Sequence, residues 1–276
     1  MAASTTSAGA EESALPPVLI LCGGQGTRLR EETEVRPKPM VQVGPRPLLW
    51  HIMKIYATQG FDQFVLALGY KGHVIRDFFL HYREHTSDVT LRFGAGDILD
   101  GRRFHDSADI EGWNVTLAET GETTQTGGRI HATRRHLGQG TFLMTYGDGV
   151  GDVDLHALLA QHRASGRLAT VTGLRPSSRF GVIERDAEGH ALGFREKPRL
   201  DDYISGGFFV LEQGVFDYLD EDCVFEQSPL QRLASDGQLG VYTHDGFWTS
   251  IDTYRELLEI NRMWADGNRP WAIWER

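Results

Sequence analysis

The stretch Val18-Leu19-Ile20-Leu21-Cys22-Gly23-Gly24-Gln25-Gly26-Thr27-Arg28 is a continuous apolar run that stops at a glycine-rich turn. Such a run, bounded so sharply, predicts a strand buried on both faces. Glycines directly after a strand let backbone N–H groups approach phosphate oxygens, and Arg28 adds a planar cationic fork. A dinucleotide fingerprint would need a third glycine where Leu29 stands, and a P-loop would need Gly-Lys-Ser/Thr; neither is present. Taken alone, the segment serves a simple tight turn equally well.

Working outward, Leu49, Ile52, Met53 and Tyr56 recur at helical spacing, Gly60 stops them, and Phe64-Val65-Leu66-Ala67-Leu68 reads as a second buried strand, completing a βαβ unit. Val74, Ile75, Phe78, Phe79 and Tyr82 predict another helical face, followed by strands at 89–93 and 115–117. Residues 94–112 are polar and glycine-containing, an excursion from the sheet. Thr141-Phe142-Leu143-Met144-Thr145 is a further strand, ending in Tyr146-Gly147-Asp148-Gly149 and followed by a helix over 155–164. Short strands are expected at 169–174, 181–184, 192–195 and 206–211, and a closing helix over 253–264. The result is an α/β chain with a Rossmann-like, mixed but mostly parallel sheet flanked by helices. Ligands of such sheets bind at the carboxyl ends of the strands, which brings Asp148 and the 23–26 loop to one crevice.

The 276 residues, 40% hydrophobic, suffice for a sizeable core. A net charge of -10 argues against sequence-independent nucleic-acid binding, which needs a cationic surface, but leaves room for a local basic pocket. Cys22 and Cys223 lack CxxC or His companions, so neither a disulfide framework nor zinc is indicated and a cytoplasmic setting is expected. Residues 1–16 lack the basic and apolar regions of a secretory signal and read as a disordered tail. No apolar run approaches the ~20 residues of a membrane helix, so no membrane partner is expected. Trp264, Trp271 and Trp274 make an aromatic end that would cover the core or meet another subunit; a homo-oligomer is expected.

Eight residues past Thr27, Val35-Arg36-Pro37-Lys38-Pro39-Met40 holds one lysine between two stiffening prolines, an arrangement suited to a phosphate. The stretch from Leu21 to Met40 resembles the signature of the sugar-1-phosphate nucleotidyltransferases, GGxGTRL followed by Pro-Lys-Pro. Trp113-Asn114-Val115-Thr116-Leu117, Thr126-Gly127-Gly128-Arg129, Glu196-Lys197-Pro198 and Gly206-Gly207-Phe208-Phe209-Val210 are similar to the branch joining CTP to α-D-glucose 1-phosphate. Cys22, where alanine is usual, and residues 94–112 depart from the pattern.

The resemblance implies the nucleotide-diphospho-sugar transferase type of fold, with a nucleotide half over about 17–150 and a smaller sugar-binding half over about 151–276. It implies that Leu21, Cys22, Gly23, Gly24, Gln25, Gly26, Thr27, Arg28, Lys38, Thr124, Arg129 and Gly147 bind the nucleoside triphosphate. Tyr146, Glu196, Lys197, Gly206 and Gly207 would take the sugar phosphate. Arg28, Lys38 and Asp148 would be catalytic, and Asp148 with Asp252 would hold Mg2+, which usually takes only one or two protein carboxylates. Singly, either aspartate could instead cap a turn or helix, Asp252 standing just before a predicted helix. The expected reaction gives CDP-glucose and pyrophosphate. The alternatives are the same chemistry with UTP, dTTP or GTP or another sugar 1-phosphate, and a silent nucleotide-sugar sensor.

Overall fold

Along β1 (Val18–Leu21) every side chain is buried, and successive residues enter different cores. Val18 and Ile20 join Leu48, Ile52, Phe64 and Leu143, while Leu19 and Leu21 join Ile130, Phe142, Met144 and Phe209. The period-2 alternation of a strand thus dictates helices on both faces, and each fully buried leucine or isoleucine contributes about 1.5–3 kcal/mol. The computed structural model describes residues 15–93, 101–105, 111–176, 180–196 and 202–276.

The sheet contains β2 (Gln63–Leu68), β3 (Asn114–Glu119), β4 (Phe142–Tyr146), β5 (Ala169–Leu174), β6 (Ile204–Leu211) and β7 (Leu239–His244) beside β1, in the order β7-β5-β6-β4-β1-β2-β3. β1 lies parallel to β2 and β4, β2 to β3, and β5 to β7. Among the described strands of this sheet only β6 runs against its neighbours, β4 and β5. Its first residues therefore lie where the parallel strands end, beside Tyr146. Both expected halves contribute strands to this one sheet.

Helices α1 (Leu48–Thr58), α4 (Leu155–Ser165) and α6 (Tyr254–Ala265) cover the Val18 face through Ile52, Leu158 and Ile260; α3 (Thr126–Thr133) and α5 (Ser228–Ser235) cover the other through Ile130 and Leu233. The helical face expected from Val74 to Tyr82 breaks at His81 into α2 (Gly72–Leu80) and a short turn, Tyr82–Thr86. The strand expected at 89–93 is observed as Asp88–Leu91, paired with Arg102–His105 in a separate ribbon. Its side chains are mostly exposed, so it has no core face to present to the main sheet.

Residues 1–14 of the expected tail lie outside the described residues. Leu15 packs against the core and Pro16 is buried, so ordered packing begins earlier than expected. At the other end Trp271 is fully buried, and Trp264 and Trp274 lie with their rings 5.1 and 5.9 Å from that of His51 on α1. No helix among the described residues is long and apolar enough to cross a membrane.

Candidate active site

At the end of β1 the Cys22 N–H still bonds to the carbonyl of Ala67 at 3.0 Å, and then the chain leaves the sheet. Gly26 adopts φ 60°, a left-handed conformation that favours glycine, and a short helical turn, Thr27–Leu29, follows. Thr33 donates its hydroxyl to the carbonyls of Gly26 and Leu29 at 3.1 and 3.0 Å, pinning the loop from behind. Burial pushes the Cys22 thiol well above the usual cysteine range, so it acts as a small apolar wall.

The loop rests on Arg129. This side chain is 4% exposed, and its terminal nitrogens donate to the carbonyls of Gly23 (3.0 Å), Leu68 (3.1 Å), Gly121 (2.8 Å) and Glu122 (3.3 Å) and to the Thr120 hydroxyl (2.7 Å). A Cβ at Gly23 would lie 2.1 Å from its guanidinium carbon, and one at Gly69 2.2 Å from Nη1. The two strand-ending glycines form the slot that holds the guanidinium. Arg129 was expected to grip the nucleotide; although it lines the crevice, its terminal donors are committed to the protein, so it shapes the site by holding three segments together.

Lys38 opens a short helical turn, Lys38–Met40, set by the extended Pro37 and by Pro39. Its ammonium lies 2.8 Å from Asp148 Oδ2 and 2.7 Å from Asp252 Oδ1, and Arg28 Nη2 lies 3.4 Å from Asp252 Oδ1. The antiparallel ribbon of Gly149–Gly151 with Trp248–Ser250 brings the two aspartates together, Asp148 directly before the first segment and Asp252 two residues past the end of the second. Burial alone would raise the Asp252 carboxyl, but the hydrogen bond and charge of Lys38 and the charge of Arg28 hold it below the usual carboxylate range. The capping alternative for Asp252 fails: Thr253 is the N-cap of α6, in a reciprocal capping box with Glu256. Among the described residues no group of three or more His, Cys, Asp or Glu could hold a metal. Two carboxylates converging on one positive charge nevertheless fit a hard cation that takes its other ligands from water and phosphate.

The wall beyond Lys38 departs from expectation. Gly207 (φ 76°) was expected to let a sugar approach; instead the Tyr146 ring lies over it, and a Cβ there would meet the ring at 2.6 Å. The Gly206 carbonyl accepts from the Trp248 indole N–H at 2.8 Å. Glu196 is exposed at the end of the hairpin of Val182–Arg185 and Ala191–Arg195, and Lys197 lies outside the described residues. Thr124 lines the crevice but donates to the Thr120 carbonyl at 2.6 Å, while Thr126 donates to Glu226 Oε2 at 2.6 Å. Gly127 and Gly128 owe their bareness to the crossing of 221–223, where a Cβ would lie 2.3 Å from Cys223 Sγ and 2.1 Å from the Glu221 carbonyl oxygen, respectively.

The sequence reading gives no site role to Gly69 or Glu226, although Gly69-Tyr70-Lys71-Gly72 shares in the resemblance. Gly69 carried a usable signal, a glycine following β2 as Gly23 follows β1; Glu226 lies in an irregular stretch with none. The assembled crevice, about 310 Å³, faces Gly23, Thr27, Arg28, Lys38, Asp148 and Asp252 toward one another. Cations on a preorganised backbone, beside paired carboxylates, can align polyanions and screen their repulsion.

Residues 17–267 match the family model described as Nucleotidyl transferase. The chain is 46% identical over 258 residues to the "Probable glucose-1-phosphate cytidylyltransferase" of Bacillus subtilis, covering 93% of this chain and 99% of that one. It is 44% identical over 260 residues to the glucose-1-phosphate cytidylyltransferase of Salmonella typhi, with the same coverage. Among solved structures, HddC from Yersinia pseudotuberculosis superimposes with a TM-score of 0.64 at 20% identity, over 91% of this chain and all of that one, a likeness of fold.

Proposed function

Because the chain belongs to the nucleotidyl transferase family, we propose that it transfers a cytidylyl group from CTP to α-D-glucose 1-phosphate, giving CDP-glucose and pyrophosphate. It is an enzyme, a nucleotidyltransferase. The observation that carries the reading is the Lys38 ammonium at 2.8 and 2.7 Å from Asp148 and Asp252, facing the glycine loop across one crevice.

An oxygen of the sugar phosphate attacks the α-phosphorus of CTP in line; that P–O bond forms as the bridge to the β-phosphorus breaks, and pyrophosphate leaves with the electron pair. The attacking phosphate is already largely a dianion near neutral pH, so no general base is required. Backbone N–H groups of the glycine loop cradle the triphosphate, Arg28 meets the departing pyrophosphate, and Lys38 grips the reacting phosphates. Arg129 and Gly147 shape the nucleotide wall, while Tyr146 takes the sugar phosphate together with Glu196 and Lys197 of the half formed by about 151–276. Asp148 and Asp252 would hold Mg2+, which when bound supplies positive charge to phosphate oxygens. Concentrating cations in the crevice reconciles an acidic chain with two polyanionic substrates.

The protein is read as cytoplasmic, supported by two unpaired cysteines, and as a homo-oligomer, supported by the exposed Ile183, Leu192 and Phe194 on one hairpin. Light scattering on the purified protein tests the assembly. The deciding assay is pyrophosphate release from glucose 1-phosphate and Mg2+ with CTP, UTP, dTTP, ATP or GTP in separate reactions. Release with CTP alone is expected; release with another nucleotide alone overturns the base, and silence with all of them overturns the substrate assignment.

A further inference from the structure

Between β6 and α5 the chain forms a short 3-10 helix, Gln213–Tyr218, and then an irregular stretch that crosses the amino end of α3. The Cys223 carbonyl accepts from Gly127 N–H at 3.0 Å and from Gly128 N–H at 3.2 Å, and Phe225 N–H donates to the Thr126 hydroxyl at 2.9 Å. The crossing delivers Glu226 to a defined place: one carboxylate oxygen accepts from Thr126 at 2.6 Å, and the other accepts from the Tyr146 hydroxyl. Thr126 and Tyr146 both line the crevice, one at the start of helix α3 and the other at the end of strand β4. The tyrosine ring is fixed from beneath by the bare Cα of Gly207 and meets the edge of Phe209 at 6.3 Å between centroids.

The direction of the Tyr146 bond has a chemical consequence. An ionised carboxylate only accepts, so the phenol proton is directed at Glu226 and the phenol oxygen turned to the crevice can only accept. An acceptor there is poorly matched to a phosphate oxygen and well matched to an O–H donor.

We propose that Glu226 is a positioning residue for the sugar: by taking the Tyr146 proton it makes that phenol an acceptor for one hydroxyl of the hexose 1-phosphate. The inference rests on the proposed cytidylyl transfer to glucose 1-phosphate and adds to it the group that fixes the polarity of the sugar contact. Thr126 keeps its bond from Phe225 whether or not Glu226 is present, so the nucleotide wall is largely insulated from the change.

The test is steady-state pyrophosphate release at saturating CTP, varying glucose 1-phosphate and its 2-, 3-, 4- and 6-deoxy analogues, with wild type, Glu226→Ala, Glu226→Gln and Tyr146→Phe. Glu226→Ala and Tyr146→Phe are expected to raise KM for glucose 1-phosphate about tenfold, as for loss of one hydrogen bond, with kcat and KM for CTP within about twofold. Glu226→Gln keeps an acceptor oxygen for the phenol and should restore KM to within about threefold of wild type. On the one analogue lacking the hydroxyl concerned, wild type and Glu226→Ala should coincide. An unchanged KM for glucose 1-phosphate in Glu226→Ala, or an equal penalty on every analogue, overturns the inference while leaving the transferase reading intact. Wild type silent with CTP and glucose 1-phosphate sinks the transferase reading and this inference with it. Should Glu226→Ala fail to fold, judged by its melting curve, Tyr146→Phe carries the analogue comparison.

Discussion

The guanidinium of Arg129 fills the space that a side chain on Gly23 would need, with only 2.1 Å between its central carbon and an ideal Cβ at that position. A methyl group there must displace either the arginine, held by carbonyls from three segments, or the glycine loop itself. Gly23→Ala is therefore expected to lower kcat/KM for CTP by about 10²-fold, the scale of a misplacement near 1 Å. Steady-state kinetics with CTP varied check this, and a value within threefold of wild type would show that the slot yields without cost.

Asp252 is separable from the fold because Thr253, not Asp252, caps α6. Loss of a helix cap costs about 1 kcal/mol of stability and would leave chemistry alone. Asp252→Asn should do the reverse, leaving the melting temperature near wild type while lowering turnover by about 10²-fold and raising the Mg2+ concentration for half-maximal rate. A variant with a lowered melting temperature and normal Mg2+ dependence would assign Asp252 to structure alone.

Lys38 is held by prolines on both sides and by two carboxylates, so its charge is placed before any substrate arrives. Such preorganised charge acts mainly on the transition state. Lys38→Ala is expected to depress kcat by more than about 10²-fold, measured by pyrophosphate release at saturating substrates. Near-normal turnover would remove Lys38 from the mechanism.

Much of this frame is legible in the residues. Val18 to Leu21 is uniformly apolar because it is buried on both faces, and the glycines after it mark where backbone must turn and lie close to other groups. Elements whose partners come from distant chain segments were harder to read. The half-polar strand Asp88–Leu91 has β character, but nothing in it says that it pairs with Arg102–His105 outside the main sheet. Gly207 announces a close approach without saying whether a ligand or Tyr146 makes it. The resemblance implies that Arg129 holds the nucleotide; the carbonyls of Gly23, Leu68 and Gly121 around it are not foreseen, because backbone acceptors leave no mark in a sequence. Glu226 becomes visible only when the crossing at Gly127 and Gly128 brings it to Tyr146.

His51 gives the fold a pH dependence independent of the site. It is fully buried on α1; its Nε2–H donates to the Val43 carbonyl at 2.8 Å, and its Nδ1 accepts from the Trp271 indole at 3.5 Å. Both ring nitrogens are used by the neutral form, so a proton on Nδ1 would oppose the indole N–H. Burial first, and the charges of Arg46 and Arg269 after it, outweigh the Val43 bond and lower the pKa from 6.5 to about 4. The unfolded chain thus binds this proton more readily than the folded one. The stabilisation is fully present above about pH 6.5 and is lost as pH falls toward 4, by up to about 3 kcal/mol. Urea unfolding at pH 7 and pH 4.5 should show wild type losing more stability on acidification than His51→Gln, which has no proton to gain. His162, whose pKa burial also lowers, remains in both proteins and contributes equally to each. Equal losses in the two proteins would mean that His51 is protonated within the fold at pH 4.5, with the indole of Trp271 turned away from it.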